Sequence, residues 1–173
     1  LQPDALFLFV PNGQGADLMK AVAERGFKEA GIKVIATGDV VDDISLNDMG
    51  DVVLGMITSH HYSAAHASAE NEAYRSSFMK AYGVRPNLMA IGGYDGMKLI
   101  AEALRASDGK ARGAALVEAM KGKGWISPRG PIAIDPATRD IVQNVYIREV
   151  KRVNGELWNV EFESVPAVKD PAK

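Results

Sequence analysis

Ala5-Leu6-Phe7-Leu8-Phe9-Val10, followed at once by Pro11-Asn12-Gly13-Gln14-Gly15, is an apolar run of strand length broken by a turn. A run this short, bounded by Pro, Asn and Gly, reads as a buried parallel strand entering a loop. From about Gln14 to Ala30 the period becomes helical. Leu18, Val22 and Phe27 fall on or near one face, Lys20, Glu24, Arg25 and Lys28 lie elsewhere, and Gly31 suits a C-cap. Lys33 to Ala36 reads as a second short strand. Strand, helix, strand in this order is a βαβ unit, the repeating element of a parallel α/β sheet.

Working outward, Ile44 to Met49 reads as a short helix and Val52 to Thr58 as a third strand. Ser59 to Ala69 is small and polar and holds all three histidines, the composition of a loop or crossover. Ala69 to Tyr82 carries Tyr74, Phe78 and Ala81 at helical spacing and stops at Gly83 and Pro86. Helical stripes recur at Asp95 to Ala106 and at Gly113 to Lys121. After a Pro- and Gly-rich stretch with a short strand at Pro131 to Ile134, the runs Asn144 to Val153 and Glu156 to Phe162 flank Asn154-Gly155, a strong hairpin signal.

Composition removes several function classes. The chain has 173 residues, 47% hydrophobic and 24% charged, enough for one globular domain or two small lobes. A net charge of −2, with Lys and Arg spread along the chain, leaves no footprint for nucleic acid. There is no cysteine, which excludes disulfides, thiolate-held metals and thiol nucleophiles and suits an oxidising compartment. Leu1 stands where an initiator Met would, so the N-terminus reads as a cut inside a longer protein, and a signal peptide is not expected within this fragment.

Candidate ligand contacts cluster after the strands. Asn12 and Gln14 follow the first, where free backbone N–H groups and the helix dipole converge; Asn12 equally suits a helix cap. Asp39, after the second strand, suits an ammonium or hydroxyl group, or an Asx turn shared with Asp42 and Asp43. His61 and Tyr62 suit the lining of a pocket or hinge, or plain loop. Tyr94 stands just before Asp95, read as a helix N-cap, and offers either a ring to a cleft or a staple to the helix. His60, His61 and His66 lack a diagnostic metal-ligand spacing, so no metal and no cofactor is expected. No nucleophile elbow or zinc-protease motif occurs, and Asp42 with Asp43, like Asp48 with Asp51, reads as a solvated turn.

Several stretches together resemble the leucine/isoleucine/valine-binding family, the type I periplasmic solute-binding receptors of ABC importers. They are Gly38-Asp39, Ile44-Ser45-Leu46, Gly55-Met56-Ile57-Thr58, His61-Tyr62-Ser63-Ala64, Gly93-Tyr94-Asp95-Gly96, Ser127-Pro128-Arg129-Gly130-Pro131, Ile134-Asp135-Pro136 and the Asn154-Gly155 hairpin. The resemblance implies an α/β fold with a doubly wound parallel sheet, here a fragment covering most of the C-terminal half and ending in an antiparallel hairpin. It implies that residues 1–58 belong to the C-terminal lobe, 59–68 form an inter-lobe crossover, 69–140 complete the N-terminal lobe, 141–165 return as a hairpin and 166–173 form a flexible tail. It places Asp39 at the position that family members use against a ligand's ammonium group. The implied function is non-enzymatic: a periplasmic receptor closes around an amino acid or aromatic carboxylate and delivers it to a membrane permease. The resemblance also implies that the family's N-terminal portion, expected as a missing part of the same protein, supplies contacts to the ligand carboxylate. A cytoplasmic sensor or regulator of the same fold, and a small α/β enzyme, are the alternatives.

Overall fold

The computed structural model describes residues 3–172. In chain order its elements are β1 (Ala5–Leu8), α1 (Gly15–Glu24), β2 (Lys33–Thr37), two 3-10 segments (Gly38–Val41 and Leu46–Val53), β3 (Ile57–His60), α2 (Ala69–Tyr82), α3 (Leu88–Ala106), α4 (Gly113–Met120), β4 (Gly124–Ser127), β5 (Gly130–Ile134), β6 (Ile141–Val153) and β7 (Glu156–Val168).

The strands β1, β2 and β3 lie side by side and parallel, with Leu8 opposite Ala36 and Thr37 opposite Ser59. The remaining pairs are antiparallel. β6 is long enough to serve two groups on one of its edges: Ile141–Gln143 pairs with β5, to which β4 is added, and Tyr146–Glu149 pairs with β3. β7 runs along the other edge, turning at Asn154 and Gly155, whose φ values of 51° and 88° are those the hairpin turn requires. Beneath the parallel strands a core of Met19, Val22, Ala36, Val40, Val41, Leu46, Val53, Met56, Val150 and Leu157 joins α1, the 3-10 segments and the hairpin.

Four local readings change. β1 is not covered on both faces, since Phe7 in it is 61% and Phe9 just past it 70% exposed; it is an outer strand, and α1 packs on one side of it only. The third strand begins at Ile57 rather than Val52, because the preceding residues wind as a 3-10 segment interrupted at Gly50, where φ is 66°. The helix expected from Asp95 starts at Leu88. Asn87, just after Pro86, accepts the amides of Met89 (3.2 Å) and Ala90 (3.1 Å), and that capped start outweighs the roughly 1 kcal/mol cost of each of Gly92 and Gly93. β7 continues to Val168, so residues 166–168, read as tail, are strand.

α1 and the turn after β2 are in contact at Gly15, where a Cβ would overlap the carbonyl of Val40. That carbonyl is backbone and has no rotamer to yield. Gly15→Ala should therefore cost about 2 kcal/mol by overpacking, seen as a lower urea midpoint with unchanged slope. An unchanged midpoint would show that α1 can shift freely.

Candidate functional site

Because β1, β2 and β3 are parallel, their carboxyl ends share one rim. β1 leads into Pro11–Gly13, β2 into Gly38-Asp39 and β3 into His61-Tyr62. The structure thus brings Asn12, Gln14, Asp39 and His61 onto the same side of the sheet, where open α/β folds bind ligands.

Asn12 does not cap α1. Its Nδ2 donates to Asp42 Oδ2 at 2.7 Å, and Gln14, exposed at the cap position, makes no side-chain cap bond. Asp42 also accepts Asn87 Nδ2 at 3.0 Å and the amide of Ile44 at 3.0 Å, so the Asx turn belongs to Asp42 and not to Asp39. Asp39 sits in the first turn of the 3-10 segment, partly exposed, and its carboxylate has no hydrogen-bond or ion-pair partner among the described residues.

Behind the rim lies a buried polar layer. Asp42 and Asp43, read from sequence as solvated, are 7% and 4% exposed. Asp43 accepts the amide of Ala64 (3.3 Å) and Asn159 Nδ2 (3.1 Å), and Arg148, 2% exposed, donates to the Tyr62 carbonyl (2.6 Å) and twice to Thr58 Oγ1 (3.3 and 3.2 Å). Burial raises the Asp43 pKa, and Arg148 and Asn159 oppose the rise; burial lowers that of Arg148, with Asp43 opposing. A Cβ at Gly38 would meet the Arg148 guanidinium and the His60 ring, so only glycine lets that arginine pass under the rim.

Tyr62, expected to line a pocket, is instead buried in the crossover. Its hydroxyl donates to Asn71 Oδ1 at 3.0 Å, and burial, then Asp43, push its pKa up. Asn71 in turn donates to the carbonyls of Ala64 and His66, Ser63 donates to that of Asn159, and His66 pairs with Glu161 at 2.7 Å. The crossover is braced from α2, β6 and β7 together. His60 and His61 stack at 4.3 Å between centroids. Burial, then Arg148 and His61, lower the His60 pKa to about 2; burial, then Arg129 and Arg148, lower that of His61 to about 4. Both rings are neutral at pH 7.

Tyr94 lies inside α3, 43% exposed, its ring 4.8 Å from that of Tyr74. Asp95 is no cap. It faces inward and accepts Arg129 Nε (2.8 Å), Ser127 Oγ (2.9 Å) and Trp125 Nε1 (3.3 Å), tying α3 to β4 and the β4–β5 turn. A separate apolar groove of about 680 Å³, lined by Met19, Val22, Ile32, Val34, Leu54 and Ile57, opens near the amino ends of β2 and β3, away from the polar rim. Among the described residues no three His, Cys, Asp or Glu side chains stand together as a metal site.

The family model for periplasmic binding proteins matches residues 1–156. This chain belongs to the periplasmic binding protein family. The periplasmic-binding-protein chain superposes, at TM-score 0.95 and 58% identity over 99% of its length and 47% of the other, on a solute-binding protein of an ABC transporter from Rhodopseudomonas palustris BisB5 in complex with 3,4-dihydroxybenzoic acid. A second solute-binding protein, from Rhodopseudomonas palustris HaA2 in complex with p-hydroxybenzoic acid, matches at TM-score 0.90 and 38% identity over 98% of this chain and 47% of that one. Leu/Ile/Val-binding protein homolog 6 of Brucella abortus is 39% identical over 96% of this chain and 44% of its own length. The chain therefore spans about half the length of the relatives it matches.

Sequence reasoning missed Arg148, Asp43, Asn159 and the Asp95–Arg129 pair. Strand alternation held the signal for the first. Tyr146, Arg148 and Val150 form the inward row of β6, so an arginine between an aromatic and a valine marks a buried charge.

Proposed function

We propose that the whole protein is the solute-binding receptor of an ABC importer in the periplasm, and that it takes up a small aromatic carboxylate without turning it over. The similarity to the BisB5 protein carries this reading, supported by the rim that gathers Asn12, Gln14, Asp39 and His61. In the proposed arrangement residues 1–58 and the hairpin 141–165 belong to one lobe and 69–140 to the other, with 59–68 crossing between them. The attachment of β3 and β5 to separate stretches of β6 supports that division. Lobe closure buries the solute, and the closed form docks on the permease. Of the expected ligand residues, Asn12, Gln14, Asp39, His61 and Tyr94 stay in the proposal, and Tyr62 becomes a brace of the crossover.

Thermal-shift measurements on the whole protein test this. At 3,4-dihydroxybenzoate or 4-hydroxybenzoate about 1,000-fold above a micromolar Kd, binding should add about 4 kcal/mol and raise Tm by several degrees. No shift with either acid, or chemical conversion of the bound acid, would overturn the proposal.

A further inference from the structure

We propose that Asn87 is a positioning residue for solute capture: it pins the start of α3 to Asp42 and is the fixed point about which the lobe bearing α3, α4, β4 and β5 turns as the cleft opens and closes. This rests on the two-lobe receptor reading above and extends it to how the lobes are held together.

The contact joins segments which that reading places in opposite lobes. Asn87 uses both ends of its amide. Its Oδ1 accepts the amides of Met89 (3.2 Å) and Ala90 (3.1 Å), fixing the first turn of α3, and its Nδ2 donates to Asp42 Oδ2 at 3.0 Å. Asp42 lies in the loop after β2 and also accepts Asn12 Nδ2 at 2.7 Å, so one carboxylate ties two loops of the rim to the start of a helix in the other lobe. Two residues before Asn87, Arg85 donates to the Leu157 carbonyl and to Glu156, each at 2.6 Å, and its guanidinium lies 3.5 Å from the centroid of the Trp158 ring. The turn between α2 and α3 is thus fastened both to the loop after β2 and to the hairpin.

Burial decides which motion these contacts allow. Asp42, Arg85 and Asn87 are each 7% exposed. Pulling the lobes apart at this point would strip buried donors and acceptors of their partners without giving them to water, so motion that keeps the contacts is favoured. A rotation about Asn87 keeps them. Turning α3 by about 20° leaves its cap in place and carries Tyr94, seven positions up the helix and about 10 Å away, through about 3–4 Å. Strand β6 is irregular where the same motion would flex it. Its register against β7 shifts between Gln143 and Val145, between the residues paired to β5 and those paired to β3.

Pulsed EPR on the whole protein, with nitroxides at Lys28→Cys and Lys110→Cys, tests the assignment; both positions are exposed, one on each lobe, in a chain with no cysteine of its own. Asn87→Ser is the informative variant, because a serine hydroxyl caps a helix as well as asparagine does but is too short to reach Asp42. Without ligand, the spread of the label distance should widen about twofold in Asn87→Ser, while the helical circular dichroism stays at the wild-type level. Affinity for 4-hydroxybenzoate, by calorimetry, should fall about fivefold or more, since closure must then order a looser pair of lobes. Asn87→Asp, which also caps α3 but sets a second carboxylate against Asp42, should widen the unliganded spread at least as much, and it serves where the serine variant is unstable. An unliganded spread as narrow as that of the wild type in the folded variants would overturn the proposal. So would a change confined to the ligand-bound state, which would make the contact a latch of the closed form. The unliganded comparison needs no ligand. If 4-hydroxybenzoate and 3,4-dihydroxybenzoate both fail to bind, the receptor reading falls, and the label distances still decide the pivot.

Discussion

Arg148→Met should lower the unfolding free energy by about 3–5 kcal/mol, the range for removing one member of a buried charged cluster. The loss has two sources. Thr58 Oγ1 and the Tyr62 carbonyl lose their donors in a region without access to water, and Asp43, 4% exposed, loses the cation that opposes its desolvation. Methionine fills much of the volume, so the deficit measures charge and hydrogen bonding rather than a cavity. Urea titrations of wild type and variant give the number, and the double variant Arg148→Met with Asp43→Asn separates the two sources. Partial recovery in the double variant indicates the stranded carboxylate, and none indicates the lost donors. The deficit should also shrink as pH falls, since Asp43 with a raised pKa sheds its charge on acidification and His60 loses a cation that held it neutral. A deficit below about 1 kcal/mol would mean that Arg148 is dispensable to the buried layer.

What the sequence made legible was the part governed by local rules. The Ala5 to Val10 run and the Lys33 to Ala36 run are parallel neighbours, Asn154-Gly155 turns a hairpin, and Asn12 and Asp39 lie on one rim because parallel strands end on the same side. Where reading failed, a long-range partner decided. Asp42 and Asp43 carry turn-like composition, and Asn12, Asn87, Asn159 and Ala64, from 21 to 116 residues away, take them out of solvent. Tyr62 looks like a pocket residue until α2 supplies Asn71 nine positions later. Asp95 resembles a cap because Gly92-Gly93 resembles a break, and the competing signal, Asn87 after Pro86, was the stronger one. The exposed Phe7 of β1, and Phe9 just beyond it, mark the opposite limit. An apolar run specifies a strand, but whether both its faces are covered depends on layers the run does not contain.

Acidification from pH 7 to pH 5 should cost the protein about 4 kcal/mol, on the order of 2 kcal/mol from each of His60 and His61. In the unfolded chain both imidazoles bind a proton near pH 6.5, whereas in the fold His61 resists until about pH 4 and His60 until about pH 2. Between those limits the unfolded state holds more protons than the native one, so stability rises with pH and is lost as pH falls below about 6.5. The causes lie in the site itself: both rings are desolvated at the ends of adjoining segments, stacked on each other, with Arg148 and Arg129 adding unfavourable positive potential. Asp43 runs the other way, because a carboxyl whose pKa burial has raised gains from protonation, and this blunts the loss at the acid end. Urea midpoints measured at half-unit steps from pH 7.5 to pH 4.5 should fall steadily below pH 6.5, and His61→Gln should flatten the curve by about half. A midpoint constant down to pH 5 would show that the imidazoles reach water at the rim and titrate freely.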